Sequence, residues 1–327
     1  MYYFVLVLLE LCLQFSKCSI FSKDREIHCE LNLSEGIKKC EFNFTNGNFD
    51  VFSASLSELH RCAEQCPHTE LLFRFENYTL PAFPNGTFSN LRSRKLTLEI
   101  SKGSRISLFS PTVPAYSVFI NSSFHSVIFD IFDSSTLIGW NWSALENQME
   151  VTEKGFEFYA VRSKLVYLHS DFSKVAKGRI TVIRILKCGL RWLGKNAFAP
   201  LIYLKSLELR DNLLENIYRS QLPKRASDMR TLDLGSNRLT DLPQDIFDGL
   251  NLQTVFLDGN KLKIIEPLMQ SILSNKELNF ISGGIWPCKC ENTSMILSKF
   301  GIDFDELECY ENINRNTIFK YKEKCPA

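Results

Sequence analysis

The chain has almost no net charge and no long apolar run. Its 38 Lys and Arg residues balance 37 Asp and Glu residues, which leaves a formal net charge of +1. A balanced chain has no global field to attract nucleic acid or an anionic membrane. The apolar stretch at residues 1–13 is shorter than the roughly 20 residues needed to span a bilayer, and no later stretch approaches that length. We therefore expect neither nucleic-acid binding nor membrane insertion.

Motifs for catalysis and for metal binding are also missing. The sequence has no Gly-x-Ser-x-Gly elbow, no phosphate-binding glycine loop and no His-Glu-x-x-His helix. Its five histidines are scattered, and the pair Asp303 and Asp305 is better interpreted as a solvated acidic loop than as an acid–base pair. We expect no enzyme activity, no cofactor and no metal site.

What the sequence does contain is a repeated spacing, Leu-x-x-Leu-x-Leu-x-x-Asn-x-Leu. It runs from Leu204 to Leu214, from Met229 to Leu239 and from Leu252 to Leu262, and a variant with Cys188 at the Asn position precedes them. This leucine-rich-repeat pattern closes only as a stacked solenoid, in which each repeat contributes a short strand with its apolar residues inward. The Asn side chain satisfies backbone groups that the turn leaves unpaired.

The second Leu of Leu-x-Leu marks each repeat. Nine markers can be placed, at spacings of 23 to 27 residues with one interval of 34. They are Phe75, Leu98, Phe132, Phe158, Ile185, Leu209, Leu234, Leu257 and Phe280. Near Phe132 the register has an alternative, because Phe129 can serve as the marker instead. The 26 phenylalanines predict a stacked aromatic core rather than a cofactor site.

We predict an α/β fold, a leucine-rich-repeat solenoid with a curved, parallel concave sheet and an irregular or short-helical convex side. Disulfide-bonded caps close both ends. The predicted segments are a signal peptide at 1–18, a cysteine-containing N-terminal cap at 19–70, repeats at 71–285 that are degraded at 100–165, and a cysteine-rich C-terminal cap at 286–327. Small residues at Ser16 and Cys18 follow the first apolar stretch, as signal peptidase requires.

The cysteines indicate an oxidising compartment. Of 11 cysteines, Cys12 and Cys18 lie in the predicted signal peptide, and Cys188 is expected to be a buried, unreactive thiol. The others form an N-terminal and a C-terminal group, namely Cys29, Cys40, Cys62 and Cys66, and Cys288, Cys290, Cys309 and Cys325. Four cysteines permit three pairings, so the N-terminal connectivity stays open. Disulfides are favoured over a zinc site, the alternative, because no His follows at ligand spacing.

Seven Asn-x-Ser/Thr sequons also favour secretion. They are Asn32, Asn43, Asn77, Asn85, Asn121, Asn141 and Asn292. None lies between Ile180 and Leu278. This distribution predicts a glycan-free surface on the regular repeats, with chance clustering as the alternative.

Strand side chains alternate sides, so the residues that flank each marker should face the concave sheet. Apolar, aromatic and Arg side chains gather there, and such exposed groups mark interaction sites. The predicted partner-binding residues are Phe129, Ile131, Tyr159, Val182, Arg184, Leu186, Arg210, Phe256 and Asp258. For Phe129 and Ile131 a core position is the alternative, because a slip of one residue turns them inward. A sheet of nine strands is on the order of 40 Å long, which suits a protein partner better than a small molecule.

The repeats and the segment Trp286-Pro-Cys-Lys-Cys290 resemble extracellular leucine-rich-repeat proteins. That resemblance covers Ile180 to Cys325 and implies two bridges, Cys288–Cys309 and Cys290–Cys325. The chain is also similar to arthropod secreted members related to the non-catalytic subunit of oplophorus luciferase. The residues that carry this second resemblance are Asp50-Val-Phe-Ser-Ala54 shortly after Cys40, the aromatic repeats of the first half, and Leu239-Thr-Asp-Leu-Pro-Gln-Asp245. This second resemblance implies a companion subunit that binds a secreted protein and does not itself catalyse a reaction.

These observations predict a secreted, extracellular protein that recognises an extracellular or cell-surface protein through its concave face. Adhesion, signalling and immune recognition are the processes that use such surfaces. The alternative is a non-catalytic stabilising subunit of a secreted enzyme complex, which would co-purify with its catalytic partner.

Overall fold

The computed structural model describes residues 28–32, 39–48, 60, 70–84, 86–106, 118–134, 142–145, 149–300, 307–314 and 317–325. The predicted signal peptide, Cys62, Cys66, Asn85 and Asn141 lie outside these ranges, as do the side chains of Cys29 and Asn32. The chain divides into two compact units. The N-terminal unit comprises Met1–Lys164 and Lys174–Lys177, and the C-terminal unit comprises Leu165–Ser173 and Gly178–Ala327.

The N-terminal unit is built mainly from strands. They are β1 (His28–Asn32), β2 (Lys39–Thr45), β3 (Glu70–Glu76), β4 (Thr79–Leu80), β5 (Arg92–Ser101), β6 (Arg105–Ile106), β7 (Ser122–Phe132) and β8 (Met149–Val161), with a 3-10 helix at Trp142–Leu145. Strands β2, β3, β5, β7 and β8 pair in parallel in that order, and β1 pairs antiparallel with β2. The parallel sheet therefore begins upstream of the first predicted repeat, and β4 and β6 form a small second sheet.

Phenylalanine fills the core of the N-terminal unit, because alternate residues of each strand point inward. Phe42 stacks on Phe73 with 4.5 Å between ring centroids, and Phe44 stacks on Phe75 at 4.7 Å. Phe88 meets the edge of Phe73 at 4.9 Å. The stacked aromatic core predicted from the sequence is confirmed in this unit.

The register of β7 corrects one of the predicted markers. Phe129 pairs with Leu98 on one side and with Phe158 on the other. Phe129 and Ile131 are both 0% exposed, so the prediction that they lie on the concave face is wrong. The strand runs one residue out of step with the predicted register, which turns them into the core. The open side of β7 instead carries Ile128, Asp130 and Phe132, the last of which was the predicted inward marker.

Buried serines replace the asparagine of the regular repeats in this unit. Ser134 and Ser163 each follow a buried strand residue, Ile131 or Ala160, by three positions, the same offset that separates Ile185 from Cys188. The Ser163 hydroxyl donates to the Val161 carbonyl at 3.1 Å and accepts from the Ser134 N–H at 3.2 Å. The hydroxyl thereby satisfies backbone groups that an Asn amide satisfies elsewhere.

In its described residues, the C-terminal unit combines short strands with three helices. Its strands are β9 (Tyr167–Leu168), β10 (Ile180–Leu186), β11 (Trp192–Leu193), β12 (Ser206–Glu208), β13 (Thr231–Asp233), β14 (Thr254–Phe256), β15 (Phe280–Ser282), β16 (Ile285–Pro287), β17 (Glu308–Tyr310) and β18 (Phe319–Lys320). The helices are α1 (Glu266–Ser274), α2 (Thr293–Phe300) and α3 (Tyr321–Lys324), with 3-10 helices at Arg219–Gln221 and Cys290–Asn292. A kinked 3-10 segment, Ser170–Gly178, belongs partly to each unit. In the described parts of the chain, no helix has the length and apolar character to cross a membrane.

Strands β10, β12, β13, β14 and β15 form a parallel sheet in that order. Their aligned inward residues are fully buried, namely Ile183, Leu207, Leu232, Val255 and Ile281. Phe280 was the predicted marker of the last repeat, but it pairs with Thr254 and is 40% exposed. That marker is wrong because Phe280 and Ile281 are adjacent, and the pairing of β15 with β14 turns Ile281 inward.

Asparagine amides link the turns of successive repeats. Oδ1 of Asn212 accepts from the N–H groups of Cys188 and Leu190 at 3.0 and 3.1 Å. Its Nδ2 donates to the carbonyls of Ile185 and Leu209 at 2.6 and 2.9 Å. Asn237 and Asn260 form equivalent bonds in the next repeats. We call these residues the asparagine ladder; Cys188, one repeat earlier, keeps a buried thiol.

Two disulfides and a lysine organise the C-terminal cap. The bridges join Cys288 to Cys309 and Cys290 to Cys325, as the family resemblance implied. Lys299 of α2 donates to three carbonyls at the end of α1, where a cation is favourable because the last turn leaves carbonyls unpaired. The acceptors are the carbonyls of Ile272, Leu273 and Asn275, at 3.0, 2.7 and 2.5 Å. In the N-terminal unit, Cys40 is also disulfide-bonded.

Candidate functional site

One side of the C-terminal sheet carries the neighbours of the buried row. We call it the C-terminal open face; it comprises Val182, Arg184, Leu186, Ser206, Glu208, Arg210, Thr231, Asp233, Thr254, Phe256, Asp258, Phe280 and Ser282. Six of the predicted site residues lie here and are half-exposed, namely Val182, Arg184, Leu186, Arg210, Phe256 and Asp258. The structure thus brings together the predicted residues of the regular repeats.

Arg184 and Glu208 form a two-pronged ion pair between adjacent strands. Arg184 Nε donates to Glu208 Oε2 at 2.6 Å, and Arg184 Nη2 donates to Oε1 at 2.9 Å. The Ser206 hydroxyl also donates to Glu208 Oε1, at 3.1 Å. Parallel N–H···O bonds of this kind fix the direction of both side chains. Arg184 therefore presents its guanidinium in one orientation.

Arg210 joins carboxylates from two further repeats. Its Nη1 lies 3.4 Å from Asp233 Oδ1 and 3.1 Å from Asp258 Oδ1, and its Nη2 donates to Asp258 Oδ2. The Ser282 hydroxyl donates to Asp258 at 2.9 Å. Gly235 allows the close approach, because a Cβ at that position would collide with Arg210 Nη1. The result is an ordered charge network across β12, β13, β14 and β15.

The two carboxylates of this network titrate in opposite directions. The hydrogen bond from Arg210 holds the pKa of Asp258 below its usual range. Burial raises the pKa of Asp233, despite the bonds that it accepts from Gly235 and Arg210. Asp258 therefore contributes stability above the pH where an unfolded Asp ionises, and this contribution is lost as the pH falls through its folded pKa. Asp233 has the reverse effect, because its stabilisation is lost as the pH rises through its raised pKa.

We expect Asp258→Asn to reduce the loss of stability on acidification below about pH 4, where an unfolded Asp becomes protonated. Since the Asp258 side chain is 37% exposed, the difference from the parent should stay below about 1 kcal/mol. Asp233→Asn should make the acid-side loss steeper, because it removes the opposing contribution. Urea unfolding at pH 7, 5 and 3 measures both effects. Parallel pH profiles for the parent and Asp258→Asn would contradict this assignment.

Aromatic side chains lie beside the charges. Phe256 and Phe280 pack at 5.4 Å between centroids on the open side of β14 and β15. A second exposed group lies on β9 and β11, where Trp192 pairs with Tyr167 and is 58% exposed. The Tyr167 ring meets His169 edge-on at 4.4 Å. The repeat pattern did not identify Phe280 or Trp192 as site residues, and only the position of Trp192 between Leu190 and Leu193 indicated that it faces solvent.

The N-terminal unit has an open face of its own. We call it the N-terminal open face; it comprises Glu41, Asn43, Leu72, Arg74, Thr97, Glu99, Ile128, Asp130, Glu157 and Tyr159. Arg74 Nε donates to Glu99 at 3.0 Å, and Arg74 Nη1 donates to Asn43 Oδ1 at 3.3 Å. Tyr159, the remaining predicted site residue, is half-exposed here and donates its hydroxyl to Glu157 at 2.5 Å.

Metal-binding geometry is not found in the described ranges, where no group of three or more His, Cys, Asp or Glu side chains could hold an ion. Carboxylates of the open faces instead bond to Arg, Ser or Tyr side chains, namely Glu99, Glu157, Glu208, Asp233 and Asp258. Such an arrangement offers fixed charges and hydrogen-bonding groups to a surface that docks on it.

Comparison with known proteins agrees with the repeat pattern. Residues 202–262 match the family model described as Leucine rich repeat. Among solved structures, the chain is similar to one from an octameric complex of Latrophilin 3 (Lec, Olf), Unc5D (Ig, Ig2, TSP1) and FLRT2 (LRR), at 14% identity, 72% coverage of each chain and a TM-score of 0.42. Comparison with curated proteins gave no match. The parallel strand register, the asparagine ladder and the match over residues 202–262 together identify the fold as a leucine-rich-repeat solenoid with a disulfide-bonded C-terminal cap.

Proposed function

We propose that this chain is a secreted, extracellular binding module that recognises a protein partner through its C-terminal open face. The observation that carries the proposal is the ordered charge network of that face, flanked by half-exposed apolar and aromatic side chains. The alternative role, a non-catalytic subunit that stabilises a secreted enzyme, uses the same surface and differs only in the partner.

The charge network supports binding because it is already ordered. Arg184 is held by Glu208, and Arg210 is held by Asp233 and Asp258. A partner therefore meets side chains whose rotamers are fixed, which lowers the entropy lost on association. Paired charges with defined positions contribute more to specificity and orientation than to raw affinity.

The apolar residues of the face supply the contact area. Val182 and Leu186 flank Arg184 on β10, and Phe256 packs against Phe280 on the last two strands. These side chains stay partly exposed on the open side, so burial in the core does not account for their apolar character. Aromatic and Arg side chains at the centre of an interface are the residues that most often dominate binding energy.

The dimensions of the face favour a macromolecule. Five strands spaced at about 4.8 Å give a surface on the order of 20 Å wide, without the enclosure of a small-molecule cleft. Together with flanking turns, this area approaches the roughly 800 Å² per partner of a standard protein interface. The disulfides of the cap support an oxidising, extracellular compartment.

Partner capture identifies what binds. The purified, glycosylated chain is used for proximity labelling of cell-surface and secreted proteins, followed by mass spectrometry. A single secreted or cell-surface protein that is lost with an open-face variant supports the proposal, and a captured enzyme supports the subunit role. A partner set that is unchanged in the variant places the interface elsewhere, with the Tyr167–Trp192 group as the next surface to test.

A charge exchange at one ion pair tests the face directly. We expect Arg184→Glu to weaken partner binding by about 30-fold or more, the effect of losing an interface hot spot of about 2 kcal/mol. Because the Arg184 side chain is 43% exposed, the accompanying loss of folding stability should stay within about 1 kcal/mol. Binding is measured by titration against the captured partner, and stability by urea unfolding.

The double variant Arg184→Glu with Glu208→Arg separates recognition from folding. It restores the ion pair and should restore stability, but affinity should remain low because the charges have exchanged places. Arg238→Glu, at an exposed position outside the C-terminal open face, is the matched control and should bind normally. Full recovery of affinity in the double variant would show that the pair acts only in folding.

A further inference from the structure

The sequon Asn43-Phe44-Thr45 lies within a strand rather than in a loop. Strand β2 alternates between buried and half-exposed residues, so Asn43 and Thr45 share the open side while Phe44 points into the core. Phe44 is anchored there by its stack on Phe75. The acceptor Asn and its Thr are thus held side by side on the N-terminal open face, as the two-residue period of a strand requires.

The amide of Asn43 is placed to carry a sugar without disturbing its neighbour. Its Oδ1 accepts the bond from Arg74, and attachment at Nδ2 leaves that carbonyl oxygen in place. Asn292 offers a contrast, because its Nδ2 faces Met269 Sδ at 4.0 Å within the C-terminal cap. Asn77 and Asn121 are exposed and lie in turns, after β3 and before β7 respectively.

The residues in register with Asn43 are those that a glycan there would cover. Across the sheet Asn43 aligns with Arg74, Glu99, Asp130 and Tyr159. Arg74 is bonded to Glu99 and lies 4.0 Å from Glu41, so the row that contains Asn43 is polar and internally paired. This row offers hydrogen-bonding groups to sugar hydroxyls.

We propose that Asn43 carries an N-linked glycan that stands on the N-terminal open face and keeps protein partners off it. Protein recognition is thereby confined to the C-terminal open face, which lies in the sequon-free interval of the chain. This inference rests on the extracellular part of the proposed function. Asn77 and Asn121 report independently on passage through the glycosylating pathway.

Site occupancy is measured on the full chain secreted from an N-glycosylating cell line. Peptide-N-glycosidase treatment in ¹⁸O-water marks each glycosylated Asn, and mass spectrometry then reads the peptides. We expect the label at Asn43 in most molecules and its loss in Thr45→Val, which removes the sequon but keeps Asn43. An unlabelled Asn43 beside labelled Asn77 or Asn121 would overturn the proposal. A secreted chain without label at any sequon would also overturn the proposal, whereas a chain that never reaches the medium would overturn secretion.

Shielding is measured with engineered thiols. Thr97 is half-exposed on β5, two strands or about 10 Å from Asn43, and Thr254 is its counterpart on the C-terminal open face. Thr97→Cys should react several-fold more slowly with a maleimide-polyethylene glycol in the parent than in the Thr45→Val background, whereas Thr254→Cys should react equally in both. Equal rates for Thr97→Cys would overturn the shielding, whatever the outcome of the charge exchange at Arg184.

Discussion

Replacing Cys290 with serine should abolish secretion of the folded chain. The Cys290–Cys325 bridge closes a segment with a sequence separation of 35 residues. In the chain-entropy model, a loop of that size loses about 4 kcal/mol of stabilisation when its crosslink is removed. A domain with a total stability of about 5–15 kcal/mol tolerates such a loss poorly. Secreted yield and the urea midpoint of any recovered protein measure the effect.

The cap also protects the apolar end of the solenoid. Trp286 and Tyr321 are fully buried next to the bridged cysteines, and the Tyr321 hydroxyl donates to the Lys289 carbonyl at 2.5 Å. Loosening this region exposes the core to water and to other chains. Cys188→Ser is the matched control, because it removes a thiol that forms no disulfide, and it should be secreted normally. Normal secretion of Cys290→Ser with an unchanged midpoint would contradict this role of the bridge.

Replacing Asn212 with alanine should cost about 3–5 kcal/mol of folding stability. The substitution removes the bonds that Asn212 makes to the N–H groups of Cys188 and Leu190 and to the carbonyl of Ile185, while the Leu209 carbonyl keeps a bond from Asn237. Each buried backbone group that loses its partner costs about 1–3 kcal/mol, reduced where the turn relaxes to admit water. Asn212 is 4% exposed, so little water reaches it in the native turn. Urea unfolding of the parent and the variant measures the difference.

Asn260 provides the comparison for this prediction. Its Oδ1 accepts from the N–H of Leu239, and its side chain is half-exposed rather than buried. Asn260→Ala should therefore destabilise the chain by about 1–2 kcal/mol, since water reaches the groups that it leaves. Equal and small losses for the two variants would show that the asparagine ladder contributes little to stability.

The regular repeats were predictable because each of their features is local. The spacing from Ile180 to Leu262 fixes which residues point inward, and the structure buries Leu209, Leu234 and Leu257 as predicted. The same reasoning fails in the irregular repeats at β7, because apolar residues lie on both sides of that strand. They are Ile128, Phe129, Ile131 and Phe132. The pairing of β7 with β5 and β8 decides which side is buried. The spacing of apolar residues does not predict that pairing. Phe280 beside Ile281 poses the same ambiguity.

The candidate site was predictable residue by residue but not as a network. Alternation placed Arg184, Arg210 and Asp258 on one side of the sheet. Their partners occupy the same position in nearby repeats, because the strands pair in register. Arg184 aligns with Glu208, and Arg210 bonds to Asp258, which lies 48 residues along the chain. The repeat spacing places these side chains at matching positions, but it does not predict which ion pairs they form. Ser134 and Ser163 were missed for a different reason. They lie two and five positions after the predicted markers Phe132 and Phe158, not the three positions that separate Leu209 from Asn212.

Cys188 gives the ladder a consequence of a different kind. Its thiol is buried between two hydrogen-bonded turns, and the described cysteines of the C-terminal cap are held in disulfides. A thiol reagent can reach Cys188 only when those turns separate. Its alkylation rate in the native chain therefore reports how often that repeat opens, and the measurement needs no engineered cysteine. Cys188 can thus separate local opening of one repeat from global unfolding of the chain. It lies at the start of the regular repeats.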